Sequence, residues 1–301
     1  MSIRFDGRVA IVTGAGSGLG RAHALGLAAR GAKVVVNDLG SARDGSGRGS
    51  EAAARVVAEI EAAGGTAIAD GADVTDEAAV AAMVARALSL WGRIDILVAN
   101  AGILRDRTLA KMTVEDFRAV LDVHLVGAFV CCKAAWEPMK AQNYGRILLT
   151  SSSSGLFGNF GQANYAAAKA GTLGLMHSLH LEGRKHDIRA NMILPTAATR
   201  MTEGLLPPAA LQLLAPETVT PGVLYLVSER APSRFAMSAG AGHFARALVS
   251  ETQGVTLAGA TLTPEEVEAQ FSAISDPAGA LTYAEAFEQT QRFAQAAADL
   301  T

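Results

Sequence analysis

Short β-branched segments alternate with longer amphipathic segments over residues 8–193, and this order predicts a doubly wound parallel sheet with helices on both faces. Half of the residues are hydrophobic but only 5% are aromatic, so the apolar mass consists of Ala, Val, Leu and Ile, which suits parallel strands buried on both faces. A glycine-rich turn directly after the first β-branched segment is typical of the same architecture. The chain of 301 residues is therefore predicted to be an α/β protein with one large domain.

The predicted elements follow from residue type and periodicity. The predicted strands are residues 8–13, 33–37, 66–69, 94–99, 146–150 and 188–193. The helices predicted between or after them are residues 19–29, 50–63, 76–90, 114–141 and 165–185.

Two parts of the chain depart from this alternation. Residues 40–50 (GSARDGSGRGS) are richer in Gly, Ser and Arg than a tight turn needs, and they predict a flexible surface loop. Beyond residue 229 the alternation fades, and two polar amphipathic helices are predicted at 264–274 and 283–298. We expect a dinucleotide-binding domain at 1–249 and a helical C-terminal extension at 250–301.

Composition argues against several classes of function. The formal charge of -3 and the dispersed Lys and Arg residues predict no basic surface for binding nucleic acid. No uninterrupted apolar run of membrane-spanning length occurs, and the first six residues lack a secretory pattern, so we expect no membrane association. Cys131 and Cys132 are adjacent and lack metal-ligand spacing, which predicts reduced thiols, no metal and a cytoplasmic location.

The glycine-rich turn spans residues 13–20 (TGAGSGLG) and opens the first predicted helix. Glycines permit a tight turn and close backbone approach, so the N-terminus of that helix can face a pyrophosphate, as in Rossmann-type domains. The residues expected to contact the cofactor here are Gly14, Ser17, Gly18, Leu19 and Gly20.

Asp38 closes the second predicted strand, eighteen residues after Gly20. A carboxylate at this position accepts both ribose hydroxyls of NAD and repels the 2′-phosphate of NADP. Ser17 also leaves the glycine loop without a cation for that phosphate. NAD is therefore the expected cofactor, although Arg43 and Arg48 on the neighbouring loop leave NADP open as the alternative.

Two further strand ends are expected beside the glycine loop. Asp73 and Val74 close the third strand, at the edge where an adenine would lie. Asn100, Ala101 and Gly102 close the fourth, where backbone can pass close to the cofactor.

Tyr165 and Lys169 are four residues apart in a predicted helix, so both project from one face. The strand at 146–150 runs into four consecutive serines, residues 151–154, which places a strand-end hydroxyl near that face. Oxidation of a secondary alcohol needs a base for the hydroxyl proton, and a phenol with a pKa of ~10 needs a nearby cation to serve as one. The trio predicts such a site.

Together the glycine loop, Asn100-Ala101-Gly102, the serines and Tyr165-Ala-Ala-Ala-Lys169 resemble the short-chain dehydrogenase/reductase family over roughly residues 5 to 245. The resemblance selects Ser152, thirteen residues before the tyrosine, as the catalytic serine. It implies that Lys169 also binds the nicotinamide ribose, and that a homodimer or larger oligomer forms. It further implies that residues 195–200 pass the carboxamide, with contacts from Pro195, Ala198 and Thr199.

His124 departs from the family pattern, which has an Asn in the middle helix. That Asn shapes a water relay to the lysine, partly through its backbone carbonyl. His124 keeps the carbonyl and is a candidate catalytic residue, while a buried core histidine is the alternative.

A narrower resemblance comes from runs that are not generic to the family. These runs are DLG at 38–40, GILRDR at 102–107, VHL at 123–125, GNFGQANY at 158–165 and EGRK at 182–185. They resemble the (3R)-hydroxyacyl-CoA dehydrogenase part of peroxisomal multifunctional enzymes of type 2. The resemblance implies NAD-dependent oxidation of a (3R)-hydroxyacyl-CoA to the 3-oxoacyl-CoA, a small-molecule reaction of lipid metabolism.

Other functions stay open. The first alternative is a dehydrogenase for hydroxysteroids or for steroid side-chain CoA esters. An NADPH-dependent 3-oxoacyl reductase is disfavoured by Asp38. A regulator that binds NAD without catalysis is disfavoured by the intact trio. The apolar segment 196–214 predicts a lid over the substrate, and Leu173, Leu175 and Met176 are expected in a subunit interface.

Overall fold

The computed structural model describes residues 2–49, 51–198 and 212–300. They form two compact units, one up to Arg246 and the other from Ala247.

The first unit is built on a sheet whose strand order is β3-β2-β1-β4-β5-β6-β7-β8. The strands are β1 (Val9–Thr13), β2 (Lys33–Asn37), β3 (Thr66–Asp70), β4 (Ile96–Ala99), β5 (Gly145–Thr150), β6 (Ile188–Thr196), β7 (Ala236–Gly240) and β8 (His243–Ala247). All pairings from β3 through β7 are parallel. The predicted doubly wound α/β class is confirmed.

Helices cover the strands of this sheet. They are α1 (Gly18–Ala28), α2 (Glu51–Ala62), α3 (Glu77–Trp91), α4 (Val114–Leu121), α5 (Gly127–Ala141), α6 (Ser153–Phe157), α7 (Ala163–Gly183) and α8 (Thr220–Leu226). The strands β1, β4 and β5 are buried at every position, so their sequences are mostly apolar instead of alternating. The main exception is Arg146 in β5, which is buried and donates to Asp187 and to backbone carbonyls.

The order of the strands reverses at β1. The chain adds β2 and β3 on one side of β1 and then places β4 on the other side. In open α/β sheets a crevice forms at such a switch point, beyond the carboxyl ends of the strands. The turns that follow β1, β2, β3 and β4 all lie at this end, and they build the candidate site.

The structure differs from the sequence prediction at several elements, among them two strands and one long helix. The strands β7 and β8 were not predicted, because their Ala-, Ser- and Gly-containing sequences lack a clear β pattern; Ala241 and Gly242, at φ of 49° and 75°, make the two-residue turn between them. The helix predicted at 114–141 is interrupted by a π-helical turn at Asp122–Val126. The second strand has the predicted bounds, and Asp38 is the first residue after it.

The stretch Val114–Ala141 also passes a length-and-composition test for a membrane span, which the expectation of no membrane association had not anticipated. Buried helices of globular folds pass the same test. Val120, Val130, Cys131 and Cys132 of this stretch are buried in the protein, so these apolar residues have partners within the fold. Val114, Val126 and Phe129 of the same stretch are exposed.

The C-terminal unit contains the short helices α9 (Pro264–Ala269), α10 (Phe271–Ile274) and α11 (Ala286–Ala298). Within the unit, Tyr283 donates to Glu251 over 2.9 Å, and Arg292 donates to the Tyr283 oxygen over 2.9 Å. The large apolar side chains of Phe271, Phe287 and Phe293 stay exposed.

Candidate active site

A cavity of about 390 Å³ opens beyond the carboxyl ends of β1, β2, β3 and β4. Its lining includes eleven of the residues predicted to contact the cofactor: Gly14, Ser17, Gly18, Leu19, Gly20, Asp38, Asp73, Val74, Asn100, Ala101 and Gly102. The structure therefore brings four separate sequence signals to one surface.

The glycine loop has the geometry expected of a phosphate cradle. Gly14 and Gly18 adopt left-handed φ values of 63° and 54°, which favour glycine. A Cβ at Gly16 would lie 2.7 Å from an Asp38 oxygen, so no side chain fits there. Asn100 donates through Nδ2 to the carbonyls of Thr13 and Gly14, over 3.0 and 3.2 Å, and fixes the loop against the end of β4.

Asp38 is held rigidly at the mouth of the same cavity. One carboxylate oxygen accepts from the backbone N–H of Gly16 over 2.7 Å, and the other accepts from that of Gly40 over 2.8 Å. Each oxygen keeps a further lone pair, so the carboxylate suits two ribose hydroxyls. Loop, helix N-terminus and carboxylate together fit a dinucleotide.

The segment 40–49, predicted as a flexible surface loop, lies against this cavity. The Arg43 carbonyl accepts from the Leu104 N–H over 2.9 Å, and the Asp44 carbonyl accepts from Arg105 Nε over 3.0 Å. The side chain of Arg48 reaches Asp73 at 3.5 Å. These tertiary contacts tie the loop to residues beyond β4, and loop composition alone gave no sign of them.

The reacting end lies where β5 runs into α6 and α7. Ser152 caps α6, accepting from the Ser154 N–H over 3.2 Å. Burial raises the pKa of the Tyr165 phenol, and a hydrogen bond from Ser152 acts in the opposite direction. Ser152 and Tyr165 are therefore brought together, as the family resemblance implied.

Lys169 is buried, and burial lowers its pKa to about 7. Its Nζ donates to the Thr150 carbonyl and lies 5.5 Å from the centre of the Tyr165 ring. The neighbouring Ser151 hydroxyl donates to the Lys169 carbonyl over 2.7 Å. Ser151 thus orders the lysine turn, while Ser152 faces the phenol.

His124 sits in the π-helical turn, edge-on to the Tyr165 ring with ring centres 5.1 Å apart. Its Nε2 lies 3.0 Å from the Ile103 nitrogen and 2.8 Å from the Ile103 oxygen. Burial, and then the charge of Lys169, holds its pKa well below the usual value, so the ring is neutral. Both interpretations of its side chain, relay member or core residue, place it against the site.

The carboxamide-contacting residues are only partly described. Pro195 lies in β6, and the Ala198 N–H donates to the Leu214 carbonyl over 2.6 Å. Thr199 and most of the predicted lid at 196–214 lie outside the described residues.

Sequence reasoning missed several polar groups that hold the site together. The Thr13 hydroxyl accepts from the N–H groups of Asn100 and Ala101, over 3.0 and 3.1 Å. Asp106 accepts from Gln162 over 3.0 Å. Both Asp106 and Gln162 fell inside the runs that carried the narrower resemblance, which was the available signal. Among the described residues no cluster suited to a metal ion occurs.

A family model described as short chain dehydrogenase matches residues 8–208. The chain belongs to this family. It is 50% identical to peroxisomal multifunctional enzyme type 2 of Mus musculus over 91% of its own length and 37% of that protein. The solved structure of full-length peroxisomal multifunctional enzyme type 2 from Drosophila melanogaster superposes with a TM-score of 0.84 at 39% identity.

This second match covers 99% of the chain and 51% of the fly protein, so the chain spans about half or less of these relatives. A 7α-hydroxysteroid dehydrogenase solved with NADH and a 7-oxo bile acid matches with a TM-score of 0.71 at 29% identity, covering 79% of this chain and 95% of that one. The family and this neighbour indicate an oxidoreductase that uses a nicotinamide cofactor.

Proposed function

We propose that this short-chain dehydrogenase oxidises (3R)-hydroxyacyl-CoA to 3-oxoacyl-CoA with NAD. The observation that carries the proposal is the placement of Ser152, Tyr165 and Lys169 in one fold with a dinucleotide cavity that presents Asp38. The similarity of nearly the whole chain to the multifunctional enzymes supports the acyl-CoA substrate.

The residues divide the work of alcohol oxidation among them. The Ser152 hydroxyl holds the substrate oxygen, and the Tyr165 oxygen removes its proton. Lys169, in reach of the phenol, favours phenolate when it carries its charge. NAD, when bound, accepts the hydride from the substrate carbon.

NAD is preferred in this proposal because Asp38 is already fixed by two backbone N–H groups and cannot turn away from an incoming phosphate. Arg43, which also lines the cavity, is the residue that favours the alternative, NADP.

An acyl chain needs apolar surface near Tyr165. Leu109, Phe157 and Phe160 are 80%, 80% and 89% exposed on the two segments that flank this residue. Those segments are joined where the Arg107 N–H donates to the Gly161 carbonyl over 2.9 Å. Exposed apolar side chains on these two hydrogen-bonded segments favour a long apolar substrate over a small polar alcohol.

A homodimer is part of the proposal. Phe271, Phe287 and Phe293 of the C-terminal unit are exposed in a single chain, and a second copy would cover such surface. Of the interface residues expected from sequence, Leu173 and Leu175 are half-buried, whereas Met176 is buried within its own chain and so is not part of a free face. Light scattering at micromolar concentration tests the dimer, and a monomer would contradict it. The cytoplasmic location stays a prediction.

A hydroxysteroid dehydrogenase is the second candidate, favoured by the structural match to the 7α-hydroxysteroid enzyme. A panel of alcohols with NAD separates the two functions: (3R)-hydroxyacyl-CoA thioesters of several lengths, 7α- and 17β-hydroxysteroids, and a 3-oxoacyl thioester with NADPH for the reverse reaction. The proposal expects the thioester with NAD to give the highest kcat/KM. A steroid turned over more efficiently would select the second candidate.

A further inference from the structure

Asp106 lies in the segment between β4 and α4. The two oxygens of its carboxylate differ in their hydrogen bonding. One oxygen, Oδ2, accepts from Gln162 Nε2 over 3.0 Å. The other, Oδ1, is buried and has no hydrogen-bond partner among the residues that the structure describes. A buried carboxylate oxygen without a partner is uncommon and calls for an explanation.

Gln162 connects Asp106 to the reacting end. Its side-chain oxygen accepts from Ser154 Oγ and from Asn159 Nδ2, each over 3.0 Å. The same residue stands at the N-terminus of α7, three positions before Tyr165. The amide therefore links three segments: the one that carries Asp106, the α6 turn that follows Ser152, and the start of the helix that carries the phenol.

We propose that Asp106 is a positioning residue for proton transfer: it fixes the Ser152–Tyr165 pair through Gln162 and holds a fixed negative charge beside the phenol. The inference rests on the proposed function only in taking Tyr165 as the proton-transferring group. The Oδ1 atom has a role in this arrangement, because no hydrogen bond from the described residues disperses its charge.

Within the described part of the chain, three ionisable side chains contact Tyr165 or interact with it electrostatically. Lys169 comes from α7 itself, His124 from the π-helical turn, and Asp106 from the segment after β4. The ring of His124 is neutral, so Asp106 is the group that opposes the lysine. After burial, which is the larger effect, the charge of Asp106 also raises the pKa of Tyr165. Asp106 thus opposes ionisation of the phenol, whereas Lys169 favours it when charged.

The direct test is a tyrosinate titration, which needs no substrate. The absorbance change of the wild type minus that of Tyr165→Phe isolates the ionisation of Tyr165, and the same difference is measured in the Asp106→Asn background. We expect Asp106→Asn to lower the apparent pKa of Tyr165, since it removes a like charge. Asp116→Asn, which removes a carboxylate on α4 that pairs with Arg105, is the matched control and should leave the value unchanged.

A kinetic arm separates charge from geometry. The amide oxygen that Asp106→Asn introduces still accepts from Gln162, so the maximal kcat of this variant should stay within about threefold while the rise of the rate moves to lower pH. Asp106→Ala and Gln162→Ala should each lower kcat by about tenfold or more, and their double variant should be no worse than either, because both break one connection.

An unshifted phenol in Asp106→Asn, or an equal shift in Asp116→Asn, would overturn the inference. Wild-type kcat in Asp106→Ala would overturn its positioning part. If no acyl-CoA is oxidised at all, the proposed function fails, yet the titration still decides the role of Asp106. Far-ultraviolet circular dichroism confirms that each variant is folded.

Discussion

Gly102 and His124 are fitted to each other so closely that a methyl group on the glycine would lie 2.9 Å from His124 Nδ1, 3.0 Å from Nε2 and closer still to the carbon between them. Gly102 lines the cofactor cavity and His124 contacts Tyr165, so the pair connects the two halves of the site.

Gly102→Ala should therefore destabilise the fold by about 1–3 kcal/mol, because the added methyl group would overpack the site against the buried His124 ring. The free energy of unfolding in urea measures this loss. Gly71→Ala is the matched control, since a Cβ there meets nothing within 4 Å.

Combining Gly102→Ala with His124→Ala should cost less than the sum of the two single changes, because the smaller side chain makes room for the methyl group. Strict additivity would show that the two residues do not constrain each other.

Asp38→Ala should weaken the preference for NAD over NADP by about 1–3 kcal/mol, since it removes a charged hydrogen-bond acceptor. The ratio of kcat/KM with the two cofactors measures the change. Asp44→Ala removes an acid from the same loop and should leave that ratio as in the wild type. A wild type that prefers NADP would show that the assignment of Asp38 is wrong.

Tyr165→Phe should lower kcat by about 10²–10⁴-fold while the dissociation constant for NAD stays nearly unchanged, because only the proton-transferring oxygen is lost. Lys169→Ala should impair both, since the proposed function has this one side chain serve the ribose and the phenol. Tyr225→Phe, on α8, is the control for loss of a tyrosine hydroxyl. Substantial activity in Tyr165→Phe would remove the phenol from the mechanism.

His23 predicts a pH dependence of stability. The ring is completely buried on α1, with Nδ1 3.0 Å from Thr220 Oγ1, and burial lowers its pKa from 6.5 to about 3. Between these two pKa values the unfolded chain binds a proton at His23 and the folded chain does not. The stability that the neutral ring permits is therefore fully present above the pKa of the unfolded chain, and it is lost as the pH falls toward the pKa of the folded chain.

Between neutral pH and about pH 4 the loss should amount to about 3 kcal/mol. His23→Asn retains a partner for Thr220 but does not titrate, so its free energy of unfolding should fall less over that interval. His243→Asn, at an exposed position in β8, should follow the wild type. Equal slopes for His23→Asn and the wild type would contradict the prediction.

Much of the fold and the cofactor end could be predicted because the information is local. The glycine turn and the four-residue spacing of Tyr165 and Lys169 each specify a backbone shape within a few residues. The contacts of Asp106 with Gln162, 56 positions apart, and of Asp44 with Arg105 depend on how distant segments meet. The low pKa of Lys169 likewise depends on burial that spacing does not reveal.

The ratio of kcat/KM for the (3R) and (3S) isomers of one 3-hydroxyacyl-CoA, measured with NAD, tests the central claim most directly. A single Ser152–Tyr165 pair presents only one face of the substrate carbon to the cofactor. The account predicts that the (3R) isomer is preferred by at least about tenfold, equivalent to about 1.4 kcal/mol in the transition state. Equal values for the two isomers, or a steroid alcohol preferred by an order of magnitude, would contradict it.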